Sequence, residues 1–426
     1  MCPKPLFQDF QLMTSSQSTG TSTSRPIPPF AEFITLMALT MGMVALSIDN
    51  LLPAFGPISQ DFALSDPNEI QLLVFIFMIG FSLMQIVYGP LADVYGRKIT
   101  LMLGLFIYTI GTLLSFFADS FDHLLIARFI QGLGAAAPRI LTLTIIRDCF
   151  EGRDMARVMS LVMMVFIIVP VFAPASGGLI LSFGSWHLIF GFMLLLVLIL
   201  VVWYKLRMPE TLHPEYRHKL SIRRILRDFR VTATTRQTLG YGTAMGLCFG
   251  CLMSYIGSAE QIFDSSIYKL GDWFPVVFGL VAAAMSVASF VNARLVRKIG
   301  MHKLSHFGLC VFIAMGAVNL AIALAFDGVP PLWMFGVGLT IAHFAFMLTM
   351  PNFNSLAMEP LGAIAGTASS LLGFYTTLIG VMCGTIVGQN FNGTVIPIVT
   401  GYLTLGGLCL IIVLITEKGR LFRPTH

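Results

Sequence analysis

The chain is 426 residues long, 56% hydrophobic and 11% charged, where soluble domains average about 25% charged. So large an apolar excess cannot be packed into a soluble core, which excludes an ordinary globular protein. The formal net charge of +5 implies no nucleic-acid partner, because the basic residues sort by membrane side instead of forming a patch.

The first thirty residues, ending RPIPPF, are polar and rich in Ser and Thr. They lack the basic-then-apolar layout and small-residue cleavage site of a signal peptide. This segment, 1–30, is predicted to be a disordered cytoplasmic tail. Beyond it, apolar windows long enough to cross about 30 Å of hydrocarbon as helices recur to the end. They fall at 31–54, 69–91, 99–118, 122–146, 156–183, 185–204, 238–262, 273–295, 304–326, 331–352, 361–387 and 394–415. Backbone groups in lipid must bond within their own segment, which predicts helices. The short alternating strands of a membrane barrel are absent.

Arg97, Lys98, Arg147, Arg153, Arg157, the stretch from Lys205 to Arg236, Arg294 to Lys303, and Lys418 to Arg423 all fall on one side. The other side carries Asp61, Asp66, Asp119, Asp122, Asp264, Asp272 and Asp327, with Lys269 its single Lys or Arg. The positive-inside rule makes the basic side cytoplasmic, together with both termini. The predicted organisation is an all-α membrane protein: a bundle of six helices over 31–204, a cytoplasmic loop over 205–236, a second bundle over 237–416 and a tail over 417–426. A faint repeat joins the halves. GPLADVYGRK, from Gly89, aligns with ARLVRKIGMH, from Ala293, so that Gly96 meets Gly300 and Asp93 meets Arg297.

Ionisable groups within spans cost about 2.5 to 3.5 kcal/mol each on insertion scales and point by default to function. Asp49, Arg128, Arg139 and Glu260 are the set, with Glu32 and Glu69 at span ends. Counting from the predicted outer ends at Ala54 and Asp122 puts Asp49 about 7 Å and Arg128 about 9 Å deep. That level placement suggests a pair in which each charge offsets the other's desolvation. A pair that opens with conformation would let the carboxylate take up and release a proton; a static structural pair is the alternative. Arg128, Gly132, Ala135 and Arg139 share one face of the fourth helix, expected to line a cavity or a close helix contact. For Arg139, a latch, a substrate-anion role and packing stay open. Glu260 is either a vestibule carboxylate or a gating or proton-handling group. The 24 Met and 36 Phe suit an adaptable pocket, but are more often packing or lipid-facing residues.

No GxxxxGK[ST] phosphate loop, HExxH or paired metal-ligand cluster occurs in the sequence. The seven cysteines are odd in number and mostly lie in apolar runs, Cys248 and Cys251 included, where they read as small packing residues. No cofactor or metal is expected, the chain is not expected to be an enzyme, and transport energy should come from an ion gradient.

Several stretches then carry a resemblance. GPLADVYGRK matches the loop signature of the major facilitator superfamily at Gly89, Leu91, Asp93, Gly96, Arg97 and Lys98. Physically, Asp93 can cap a helix or pair with a cation across the cytoplasmic gap, forming a conformational latch, and Gly96 permits the turn. LLIARFIQGLGAAAPR resembles a second signature at Arg128, Gln131, Gly132 and Gly134. VPVFAPASGGLI, with Pro170, Pro174, Gly177 and Gly178, resembles the antiporter signature, although Ala173 stands where a glycine is usual. Those prolines and glycines would bend and loosen the fifth helix. That departure, with SIDNLLPAF, SWHLIFGF and MPNFNSLAMEPLGAIAGTASSLLG, is similar to the Bcr/CflA (bicyclomycin-resistance) drug transporters. The resemblance implies twelve helices in two halves, the major facilitator fold. It further implies a monomeric proton antiporter in a bacterial inner membrane, exporting amphiphilic small molecules such as phenicols, bicyclomycin-like compounds, sulfonamides or cationic dyes. An uptake symporter or metabolite exporter of the same fold is the alternative.

Overall fold

The computed structural model describes residues 27–212, 215 and 222–422. The predicted N-terminal tail up to residue 26, positions 213–214 and 216–221 of the central loop, and 423–426 of the C-terminal tail lie outside the described residues. Twelve helices long and apolar enough to span a bilayer occur among those described. They are α1 (Phe30–Asp49), α2 (Leu72–Tyr95), α3 (Arg97–Phe116), α4 (Phe121–Cys149), α5 (Gly152–Leu181) and α6 (His187–Arg207), followed by α7 (Arg236–Glu260), α8 (Phe274–Ile299), α9 (Met301–Ala325), α10 (Leu332–Met358), α11 (Ala365–Gln389) and α12 (Ile396–Thr416). The helices are therefore those expected from hydropathy, with ends displaced by a few residues.

One displacement matters. The first span does not stop near Ala54: α1 ends at Asp49, a 3₁₀ turn covers Leu52–Ala54, and a short helix continues over Phe55–Asp61. Pro53 lies in the first turn of that 3₁₀ segment, where a missing N–H costs nothing, so the span continues through it. Asp49 is thus twelve residues from the span's end at Asp61, roughly 18 Å by helix rise. The depth of about 7 Å expected from the sequence is too small.

The internal repeat is visible in backbone geometry. Gly96 (φ 103°, ψ 158°) separates α2 from α3, and Gly300 (φ 86°, ψ 156°) separates α8 from α9. These are the same left-sided conformation at equivalent junctions, which a Cβ would strain. Helices α1–α6 pack among themselves, as do α7–α12, and the two sets meet where α2 packs on α11 and α5 on α8. Side chains such as Phe106, Ile126, Leu195, Leu280 and Ile386 are exposed around the outside, the apolar belt a bilayer requires. The central loop contains a helix over Ile222–Thr234 that hydropathy did not indicate, because its basic residues mask its pattern.

Candidate functional site

Between the two helix sets lies a cavity of about 750 Å³. It runs from Asp93, Arg97 and Arg147 at the basic end to Asp49, Tyr255 and Phe278 deeper in. Its walls are largely apolar and include Met78, Phe81, Met253 and Met347. Asp49 is 5% exposed, with no hydrogen bond or ion pair to any described residue. Across the cavity the Tyr255 hydroxyl is also buried without a partner. Its ring stacks on Phe278 at 5.4 Å between centroids and lies 4.6 Å from His343. His343 Nδ1 donates to the Leu339 carbonyl at 3.0 Å, so Nε2 accepts from the Tyr402 hydroxyl at 3.3 Å.

The structure does not join Asp49 to Arg128. Arg128 is fully buried: Nε donates to the Leu73 carbonyl (3.0 Å), Nη1 donates to Gln131 Oε1 (2.5 Å), and the guanidinium sits 4.5 Å from the Phe77 ring centre. Gln131 in turn donates to Thr112 Oγ1 at 2.9 Å. Level matching failed because the first span continues beyond Pro53, placing Asp49 deeper than counted. One Arg128 nitrogen, Nη2, has no partner. The expected polar face of α4 is divided: Arg128, Gln131 and Gly132 lie in helix contacts, and Arg139 lines the cavity. Gly132 is there for close approach, since a Cβ would stand 2.0 Å from the Phe77 carbonyl oxygen of α2.

At the acidic end the halves are sealed by amides. Gln71 Nε2 donates to Gln261 Oε1 at 2.5 Å and to the Gly388 carbonyl at 3.1 Å. Asn68 Nδ2 donates to the Phe391 carbonyl at 2.9 Å, Gln389 Nε2 to the Asn68 carbonyl at 2.8 Å, and Gln261 Nε2 to the Pro67 carbonyl at 2.7 Å. Neutral amides at helix ends carry no charge or period, so the sequence did not single them out. Each such bond contributes about 1 kcal/mol net. Gln71→Ala combined with Gln261→Ala is expected to raise labelling of a cysteine installed at Ser258 by about fivefold or more. Unchanged labelling would mean that the amides do not hold this end shut. Glu260 belongs to this end and does not line the cavity; its Oε2 accepts from Ser265 Oγ at 3.1 Å, and Gly56 of the first span lies against it.

The basic end is tied within the first half. Arg97 bonds Asp93 through Nη1 and Asp148 through Nε, the latter at 2.9 Å. The Glu210 carboxylate accepts from the backbone N–H of Arg97 (2.8 Å) and of Lys98 (3.2 Å), capping α3, and Lys98 Nζ donates to the Met208 carbonyl at 2.5 Å. A Cβ on Gly96 would meet the Glu210 carboxylate at 2.3 Å. The expected pairing across the gap to the second half is therefore absent among the described residues. Instead, the motif clamps α2, α3, α4 and the segment after α6. Gly89 does face the other half, lying against Ser370 of α11.

A family profile described as Major Facilitator Superfamily matches residues 37–385. The chain belongs to that superfamily. A transporter of Bacillus subtilis, YdgK, described as an uncharacterized MFS-type transporter, is 30% identical over 371 residues, covering 85% of this chain and 90% of YdgK. A bicyclomycin resistance protein homolog of Haemophilus influenzae is 29% identical over 384 residues, covering 89% of this chain and 94% of that protein. The xylose transporter XylE from E. coli, in a partially occluded inward open conformation, superposes with a TM-score of 0.67 at 14% identity, over 91% of this chain and 97% of XylE. That likeness carries the fold alone. This chain is thus a multi-pass membrane transporter of the facilitator superfamily, not an enzyme, and its relatives support the drug-resistance branch its motifs resemble.

In this facilitator α5 runs as one helix through Pro170 and Pro174. Gly177 receives the first span: a Cβ would lie 2.1 Å from the Asn50 carbonyl oxygen, and Ser176 Oγ donates to Asn50 Oδ1 at 3.0 Å. Gly178 has open space where its Cβ would be. Among the described residues no three His, Cys, Asp or Glu converge as a metal site. A double-mutant cycle between Arg97 and Asp148 should return a coupling of about 1 to 2 kcal/mol in unfolding stability. Independent effects would show that the clamp does not act as a unit.

Proposed function

We propose that this facilitator exports amphiphilic small molecules across a bacterial inner membrane in exchange for protons, as a monomer with both termini cytoplasmic. The observation that carries the reading is a cavity open at the basic end, sealed at the acidic end, walled by adaptable apolar side chains and holding an unpartnered carboxylate, Asp49, at depth. Such a carboxylate is neutralised either by a proton or by a cargo group, and competition between the two couples their movements. Arg128 supports this role from the same half, as a buried guanidinium with one nitrogen free to take up Asp49 in the opposite state. Asp93, Gly96, Arg97 and Lys98 keep the first half rigid at the basic end, and Gly89 gives α2 its close contact with α11, while the halves rock. Glu260 serves the acidic gate. Relatives named for bicyclomycin and chloramphenicol resistance favour drug-like cargo.

The test is transport in proteoliposomes with an imposed pH gradient and a panel of amphiphilic compounds. Accumulation that collapses with a protonophore supports the reading. Accumulation indifferent to the gradient refutes it, and accumulation in the same direction as proton flow would make the protein a symporter.

A further inference from the structure

The charged side chains lining the cavity are Asp49, Asp93, Arg97, Arg139 and Arg147. The Arg97 guanidinium is answered by Asp93 and Asp148. Asp49, Arg139 and Arg147 have no ion pair or hydrogen bond among the described residues. The lining side chains alone therefore sum to a positive charge; with Asp148 behind Arg97 included, the excess remains when Asp49 carries a proton, and a lone cationic cargo then meets repulsion there.

Arg139 is the deeper of the two unpaired arginines, eight residues along α4 from Arg147, about 12 Å by helix rise. Its guanidinium lies 4.6 Å from the centre of the Phe166 ring, contributed by α5. A guanidinium resting on an aromatic face is held in place while its N–H edges stay free. Those edges form a planar fork that matches a carboxylate with two parallel hydrogen bonds, and in a partly enclosed site that pairing is strong. Met253, Phe278 and Met347 of the second half also line the cavity and can adapt to an apolar body.

We infer that Arg139, seated on Phe166, is an anion-anchoring subsite, and that the cargo of this transporter is an amphiphile bearing a carboxylate or comparable anionic group for Arg139 together with a basic or hydrogen-bond-donating group that takes the proton's place at Asp49. The inference rests on the reading of the cavity as the cargo site.

The test uses the full purified chain and two probes of one shape, dansyl-phenylalanine and its methyl ester, followed by dansyl fluorescence. The wild type should bind the acid at least about tenfold more tightly than the ester. Arg139→Gln should erase that preference by weakening the acid alone, and Arg139→Lys should restore part of it. Size exclusion establishes that the variants are folded. Equal affinity of the wild type for both probes, no binding of the acid, or an equal loss for both probes in Arg139→Gln would each overturn the subsite. The wild-type comparison decides even where a variant does not fold. Binding with the expected preference but no movement of the acid under a pH gradient would refute the export reading and leave the anion subsite standing.

Discussion

Replacing Asp49 by asparagine is expected to abolish accumulation of cargo against a gradient while leaving exchange at equal concentrations in place. One pH unit of gradient stores about 1.4 kcal/mol per proton, enough for about tenfold accumulation for each proton exchanged. Vesicles with a lumen one unit more acidic than the medium should therefore concentrate cargo about tenfold with wild-type protein and not at all with Asp49→Asn. The substitution keeps shape and volume. Because no described residue bonds the Asp49 carboxylate, it orphans no partner in this state. A fold defect would appear as loss of equilibrium exchange as well, and would separate a static structural role from a coupling one. Retained tenfold accumulation in Asp49→Asn would remove Asp49 from the coupling step.

The second large effect is on assembly. Gly132→Val is predicted to destabilise the first half by about 4 kcal/mol or more, the range reached when a core position is forced apart. At 2.0 Å from Phe77 O and 2.8 Å from Phe77 C, the added carbon meets backbone of α2 that cannot turn aside as a side chain can. On the neighbouring face of the same helix, Gly134 holds Tyr108 N of α3 at 2.2 Å from its would-be Cβ. Helix α4 is thus wedged between α2 and α3 with no slack. The expected result is loss of the monodisperse peak in detergent. Gly178→Ala, where the space is open, should be neutral or stabilising by about 0.5 to 1 kcal/mol through helix propensity. Equal tolerance of both substitutions would contradict the packing described.

Hydropathy and the positive-inside pattern were enough to read twelve helices in order, because each span must satisfy its backbone internally. The repeat was also legible, since Gly96 and Gly300 are required by the same backbone conformation. The site was legible only in part. Asp49 and Arg139 were found because a charge in a span stands out, and both line the cavity. The Asp49 to Arg128 pair is absent in this state, and the depth match behind it was misjudged because Pro53 looked like an end when the span continues beyond it. Asp148 and Glu210 act on Arg97 and on the start of α3 from 51 and 113 residues away, a separation no local pattern reveals. Tyr255 and the sealing amides Asn68, Gln71, Gln261 and Gln389 resemble ordinary residues of apolar helices and helix ends until the two halves are brought together.

Proton release on cargo binding tests the central claim most directly. In lightly buffered detergent solution, a pH-sensitive dye should report about half a proton released per cargo molecule bound by the wild type near the midpoint of its titration, rising toward about one at lower pH, and none by Asp49→Asn. Undiminished release from Asp49→Asn, with cargo still bound, would contradict the account.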